Sequence, residues 1–209
     1  MRRIVLLSLL LTCIPLQVSA APSDDALTVL NSLSVKGRAA KTGYSRAQFT
    51  HWSDLDRNGC DARNDTLKRD LTALVFKVGT RDCKVITGSL LDPYSGKVIT
   101  FSSTKSTIDI DHVVALSNAW QTGAAYFDKT KRQQIANDPL NLLAVDFTLN
   151  RQKGDGDAAT WLPPLKSYRC DYVARQVAVK VKYGLWVTQP EKDAIVKILE
   201  KCVGQKLPN

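Results

Sequence analysis

Imidazole is scarce in this chain: 209 residues include two histidines, His51 and His112. General-base chemistry by imidazole therefore has few candidates. The five cysteines never form a close C-x2–4-C hook, which argues against a zinc site built from thiolates. Internal repeats, low-complexity tracts and Pro/Gly/Ser-rich linkers are all missing. Beyond the N-terminus no segment approaches the run of about 18 apolar residues that reads as a membrane span. Acids are outnumbered: 20 Asp+Glu face 29 Lys+Arg, giving a net charge of +9 and a pI near 9.4. That balance suggests a polyanionic partner. Hydrophobic residues at 44% and charged residues at 23% are ordinary globular proportions, so disorder and collagen-like order are excluded.

What the chain does have begins at its N-terminus. Met1-Arg2-Arg3 is a short positive region, and Ile4 to Pro15 is almost wholly apolar. Val18-Ser19-Ala20 offers the small-residue pattern of a signal-peptidase site, so residues 1–20 read as a signal peptide and 21–209 as one domain. Cleavage removes Arg2, Arg3 and no acid, lowering the net charge from +9 to +7. It also removes Cys13, leaving Cys60, Cys83, Cys170 and Cys202. An even count in an exported chain reads as two disulfides. Of three possible pairings, Cys60–Cys83 and Cys170–Cys202 are favoured because each lies within one half of the chain. The expected location is secreted or periplasmic.

Ser23-Asp24-Asp25 can start a helix with Leu27, Leu30 and Leu33 on one stripe. Asn64 can cap another that carries Leu67, Leu71 and Leu74. Val85-Ile86-Thr87 and Lys97 to Phe101 flank Asp92-Pro93-Tyr94-Ser95-Gly96, a hairpin with its turn. Ile108-Asp109-Ile110-Asp111 alternates as a strand does, and a helical stretch with Ala115, Leu116, Ala119 and Trp120 on one face follows. Thr130 to Ile135 suits a short helix and Asn141 to Val145 a buried strand. Two helices close the chain, one over about 167–183 and one opened by the Thr188-x-x-Glu191 capping box. The fold class is α+β. The tryptophans, Tyr126, Tyr168 and Tyr172 read as core.

His51 has only Asp54 and Asp56 nearby and reads as a packing or surface residue. His112 instead ends the run Ile108 to His112, directly after Asp111. Ideal strand geometry sends the two side chains to opposite faces, so both can serve one site only where the backbone bends. Twenty-nine residues beyond His112, Asn141-Leu142-Leu143-Ala144-Val145-Asp146-Phe147-Thr148-Leu149-Asn150-Arg151-Gln152-Lys153 reads as a strand, a turn and a helix start.

Asp-His on one strand, with asparagines on the next strand and the helix, resembles the HNH, or ββα-metal, nuclease motif. The resemblance implies a core over about 106–157 embedded in a mainly helical domain. It places a metal ligand at Asp111, the general base at His112, a loop-bracing asparagine of the catalytic set at Asn141 and a second metal ligand at Asn150. Tyr44-Ser45-Arg46-x-x-Phe49, Gly59 to Asn64, Asn137 to Leu142, Lys153-Gly154-Asp155 and Trp161-Leu162-Pro163-Pro164 carry a narrower resemblance. They are similar to secreted HNH proteins related to the C-terminal nuclease domain of GmrSD restriction enzymes, over about 44–172.

Phosphodiester hydrolysis needs an activated water, an electrophile and stabilisation of the departing oxygen. Neutral His112 can take the water's proton. Asp111 and Asn150 offer oxygen ligands to one hard divalent cation, Mg2+ or alternatively Mn2+. Arg63, Arg151 and Lys153 are candidates for substrate phosphates, with Arg63 alternatively pairing with an acid. The expectation is a secreted, metal-dependent, largely nonspecific endonuclease on DNA, with RNA left open, that leaves 5′-phosphate ends. It is expected to act as a monomer without a membrane. The alternatives are a non-catalytic exported polyanion binder and a toxin-like effector with an immunity protein.

Overall fold

The computed structural model describes residues 24–105 and 107–208; the signal-peptide reading and Cys13 lie outside them. Two antiparallel sheets sit among seven α-helices within this range. α1 (Ala26–Ser32) starts where Asp25 accepts a hydrogen bond from the Thr28 amide, and it buries Ala26 and Leu30. α2 (Ala62–Asp70) is capped by Asp61, not by Asn64, because the Asp61 carboxylate takes the Asn64 amide that would otherwise have no partner. The helix also stops short of Leu74, which belongs to a strand absent from the sequence reading, β1 (Thr72–Phe76). β1 pairs with β2 (Val85–Leu91), and β2 with β3 (Val98–Ser102), around the expected hairpin.

The hairpin turn is built by Asp92, whose carboxylate accepts from the Tyr94 and Ser95 amides. Asp92 also takes the Asp146 amide, which joins this turn to the second sheet. That sheet is β4 (Ile108–His112) against β5 (Leu142–Asp146), in register from Ile108–Asp146 to His112–Leu142. Between them run α3 (Leu116–Gln121) and α4 (Lys129–Asn137). β5 passes without a turn into α5 (Phe147–Lys153), because Asp146 ends the strand and caps the helix at the Leu149 amide. The intervening turn expected from the sequence is therefore absent.

α6 (Arg169–Tyr183) and α7 (Gln189–Leu199) close the chain, the latter through the reciprocal Thr188–Glu191 capping box. α1, α6 and α7 pack with Val113, Leu143 and Val145 into one apolar cluster. A second cluster joins Phe49, Val114 and Trp120 to the far end of α6, and a third puts α2 and the three-stranded sheet against Ile108, Ile110, Leu142 and Ala144. The β4–β5 pair is thus covered on both faces, which fixes the ends of β4 and α5. Cys60–Cys83 ties the start of α2 to β2, and Cys170–Cys202 ties α6 to the chain end, as favoured from the sequence. None of the described helices is long and apolar enough to cross a membrane.

Candidate active site

The end of β4, the first residues of α3 and the C-terminal half of α5 enclose a depression of about 430 Å³. Asp109, Asp111, His112, Asn150 and Arg151 line it, joined from a distant part of the chain by Tyr44, Arg46, Trp52 and Arg63. Asp111 and His112 meet there because β4 ends at His112 and the chain turns away at Val113.

The His112 ring is held on two sides. Its Nε2 lies 2.8 Å from the Ala136 carbonyl oxygen, which can only accept. The proton therefore sits on Nε2, and Nδ1 keeps a bare lone pair. The Trp52 indole stacks on the imidazole with centroids 5.7 Å apart and planes 29° from parallel. Burial, opposed by the Ala136 hydrogen bond and assisted by the positive field of Arg46, pushes the His112 pKa down to about 3. The imidazole is neutral at every physiological pH.

Asp111 is nearly as buried, and its carboxylate has two strong donors. Tyr94 donates its hydroxyl to Oδ2, and the Lys153 ammonium lies 2.9 Å from Oδ1. Lys153 also donates to the His112 carbonyl oxygen at 2.9 Å. The Lys153 side chain is fully buried, so it does not face an incoming phosphate as the sequence reading expected. Its four-carbon stem runs from α5 under the site, and the charge ends against Asp111. Asn141 is fully buried as well: its side chain accepts from the Val114 amide at 2.8 Å and donates to the Val114 and Ile135 carbonyls. It braces the loop after His112 and does not line the depression.

Asn150 donates from Nδ2 to Asp109 Oδ2 at 3.2 Å, which leaves its amide oxygen without a protein partner among the described residues. Asp109, which the sequence reading used only as part of a strand pattern, is thus the neighbour that orients Asn150. The signal was present in the i, i+2 spacing of Asp109 and Asp111, which puts both on one face of β4. Among the described residues no group of three or more His, Cys, Asp or Glu is placed to hold a metal ion. The oxygen donors that line the depression are Asp109, Asp111, whose carboxylate is shared with Tyr94 and Lys153, and the Asn150 amide, a small all-oxygen set of the kind a hydrated hard cation accepts.

The arginines stand around the rim. Arg63 finds no acid among the described residues; its guanidinium lies 6.0 Å from the Trp52 ring. Arg151 stacks on Phe147 at 4.1 Å. Arg46, unused by the sequence reading except as part of a motif, lines the same depression. His51 lies outside it, edge-on to Trp52. Of the aromatics read as core, Tyr172 is fully buried, whereas Tyr126 is 80% exposed because it ends a short 3-10 turn at the surface.

Comparison with known proteins gives the family of a chain that sets a strand-end Asp-His pair beside a helix-borne asparagine. The profile of "GmrSD restriction endonucleases, C-terminal domain" matches residues 61–198, and the chain belongs to that family. An "Uncharacterized secreted protein" of Arthroderma benhamiae is 38% identical over 191 residues, covering 90% of each chain. No solved structure is significantly similar. Two disulfides accord with export, as does the relative's description.

Proposed function

We propose that this protein is an exported endonuclease that hydrolyses phosphodiester bonds in DNA, with one divalent cation and His112 as general base. One observation carries the reading. In a chain of an endonuclease family, Asp111, His112 and Asn150 border one depression rimmed by three arginines. A binding module has no use for a neutral, tautomerically fixed imidazole beside oxygen donors of that kind.

The residues act as follows. His112 Nδ1 takes the proton of the attacking water, and the Nε2 proton held on Ala136 keeps the ring in that tautomer. Trp52 limits the tilt of the ring. Asp111 and Asn150 would hold the cation, most simply Mg2+, with Asp109 orienting Asn150. A cation held there would act as a Lewis acid and would stabilise the leaving oxygen. Tyr94 and Lys153 fix the Asp111 carboxylate from behind. The family resemblance implies that the 3′ oxygen leaves, giving 5′-phosphate ends. Arg63 and Arg151 hold neighbouring phosphates, contacts that carry no base information and so accord with low sequence preference.

Nicking of supercoiled plasmid by the oxidised protein, with Mg2+ or EDTA and beside His112→Ala, tests the reading. Metal-dependent nicking that disappears in the folded variant is the expected result. Nicking that survives in the variant removes His112 from its role. Binding without cleavage under Mg2+, Mn2+ and Ca2+ would overturn the enzyme in favour of a polyanion binder.

A further inference from the structure

We infer that Arg46 is a phosphate-holding residue of this site, one that extends the grip from the attacked phosphodiester to the neighbouring backbone, so that the substrate is a multiply charged strand. The inference rests on the nuclease reading but concerns a residue outside the stretch that matches the family.

The charge balance at the rim is its first support. Arg46, Arg63 and Arg151 all border the depression, and none forms an ion pair among the described residues. The lysines beside them are already neutralised: Lys153 by Asp111, and Lys41 by Asp155 at 2.7 Å. Asp109, the remaining acid, is engaged by the Asn150 amide. Three guanidinium groups gathered around one concavity face the single unpaired carboxylate charge of Asp109, which leaves an excess of positive charge that an oxyanion would offset. Arg63 and Arg151 at least lean on aromatic rings; Arg46 has no such contact and no hydrogen bond among the described residues. Its fork of donors suits bidentate phosphate contact.

Rigid support is the second. Arg46 opens a 3-10 turn (Arg46–Phe49) whose Phe49 is fully buried against Trp120, with ring centroids 6.5 Å apart. Gln48 in the same turn bonds the Gly43 carbonyl and accepts from Arg132. Downstream, Asn137 bonds both the Ser53 amide and the Thr50 carbonyl. An exposed, unbonded arginine at the head of a turn anchored this firmly borders the depression from a fixed backbone position. That fits pre-organised binding better than a mobile solvated side chain does.

The test uses the full-length oxidised protein carrying His112→Ala, so that binding is read without cleavage. Anisotropy of a short labelled DNA duplex is followed across a salt series for Arg46→Ala, Arg46→Lys and, as a charge-matched control, the exposed Lys197→Ala. Arg46→Ala is expected to weaken binding roughly tenfold and to make the salt slope shallower by about one released ion. Arg46→Lys should restore the slope and only part of the affinity, since it keeps the charge and loses the fork. Affinity and slope for Arg46→Ala equal to those of Lys197→Ala would overturn the inference, whatever wild-type nicking shows. Failure of the nuclease reading is separately visible, as wild-type protein that binds the duplex in an Arg46-dependent way but never nicks plasmid.

Discussion

Two buried lysine–carboxylate pairs make the instructive comparison in this molecule. Lys180 on α6 reaches Glu191 on α7, with its ammonium 2.7 and 2.9 Å from the two carboxylate oxygens. Lys153 on α5 reaches Asp111 on β4 at 2.9 Å. All four side chains are nearly or wholly excluded from solvent. Around the first pair, burial pushes the lysine pKa down and the glutamic acid pKa up, each against the pull of its partner. Desolvation outweighs attraction there, and Glu191 earns its place through the capping box, where it also accepts from the Thr188 amide. The second pair borders a depression. Its lysine also grips the His112 carbonyl, and its carboxylate takes a tyrosine hydroxyl. The same chemistry fastens two helices in one place and fixes a site carboxylate in the other.

Removing a single partner separates the two roles. Lys153→Met and Lys180→Met should each cost about 3–5 kcal/mol, because each leaves a carboxylate buried without its cation. In a chain this size that lowers the thermal midpoint by roughly 10 °C, measurable by calorimetry. Apolar replacement of both partners should then divide them. Lys180→Met with Glu191→Leu should recover most of the loss and keep wild-type nicking. Lys153→Met with Asp111→Leu should recover stability without restoring any nicking. Equal nicking by the two double variants would erase the distinction.

The disulfides sharpen the contrast between site and scaffold at a somewhat smaller scale. Each closes a loop, 23 residues apart in one case and 32 in the other, and each should contribute about 3–4 kcal/mol in the chain-entropy account. Replacing Cys60 and Cys83 by Ala, beside Arg63, should lower plasmid affinity as well as melting temperature. Replacing Cys170 and Cys202 should lower melting temperature alone.

Asn141→Ala should cost about 1–3 kcal/mol, since it strands the buried Val114 amide and two carbonyls. Nicking should fall further than stability accounts for, through the loop after His112. A separate effect is on pH dependence. His112 has a folded pKa near 3 against 6.5 for the free side chain. Between those values the unfolded chain binds a proton that the folded chain refuses, so stability falls as pH drops through that window. His112→Asn should flatten part of that decline in denaturant titrations at pH 7 and pH 4.

Much of this was legible in the chain itself. The β2–β3 hairpin, the strand ending at His112, the helix bearing Asn150, the Thr188 capping box and both disulfides follow from local pattern. Asp61 was missed as a cap because Asn64 is an equally good capping residue, and only the hydrogen bond to the Asn64 amide separates them. β1 was missed because Leu74 continues a helical stripe begun at Leu67 and Leu71, while pairing with β2 pulls the chain into a strand. Lys153 looked like a phosphate contact because a lysine in a basic run is usually solvated. Its burial depends on Asp111, forty-two residues away in sequence.

The sequence alone determined most of the local elements, the pairing of cysteines within each half, and the order of Asp111, His112, Asn141 and Asn150. These rest on short-range preferences: caps, alternation and loop length. Tertiary structure decided which charges meet. It buried Lys153 against Asp111, set Trp52 over His112, turned Asn150 by way of Asp109, and brought Arg46 and Arg63 to the rim from an N-terminal segment. Whether a charged side chain binds a partner inside the protein or remains open to a substrate depends on its long-range neighbours and its access to water, and no local pattern encodes either.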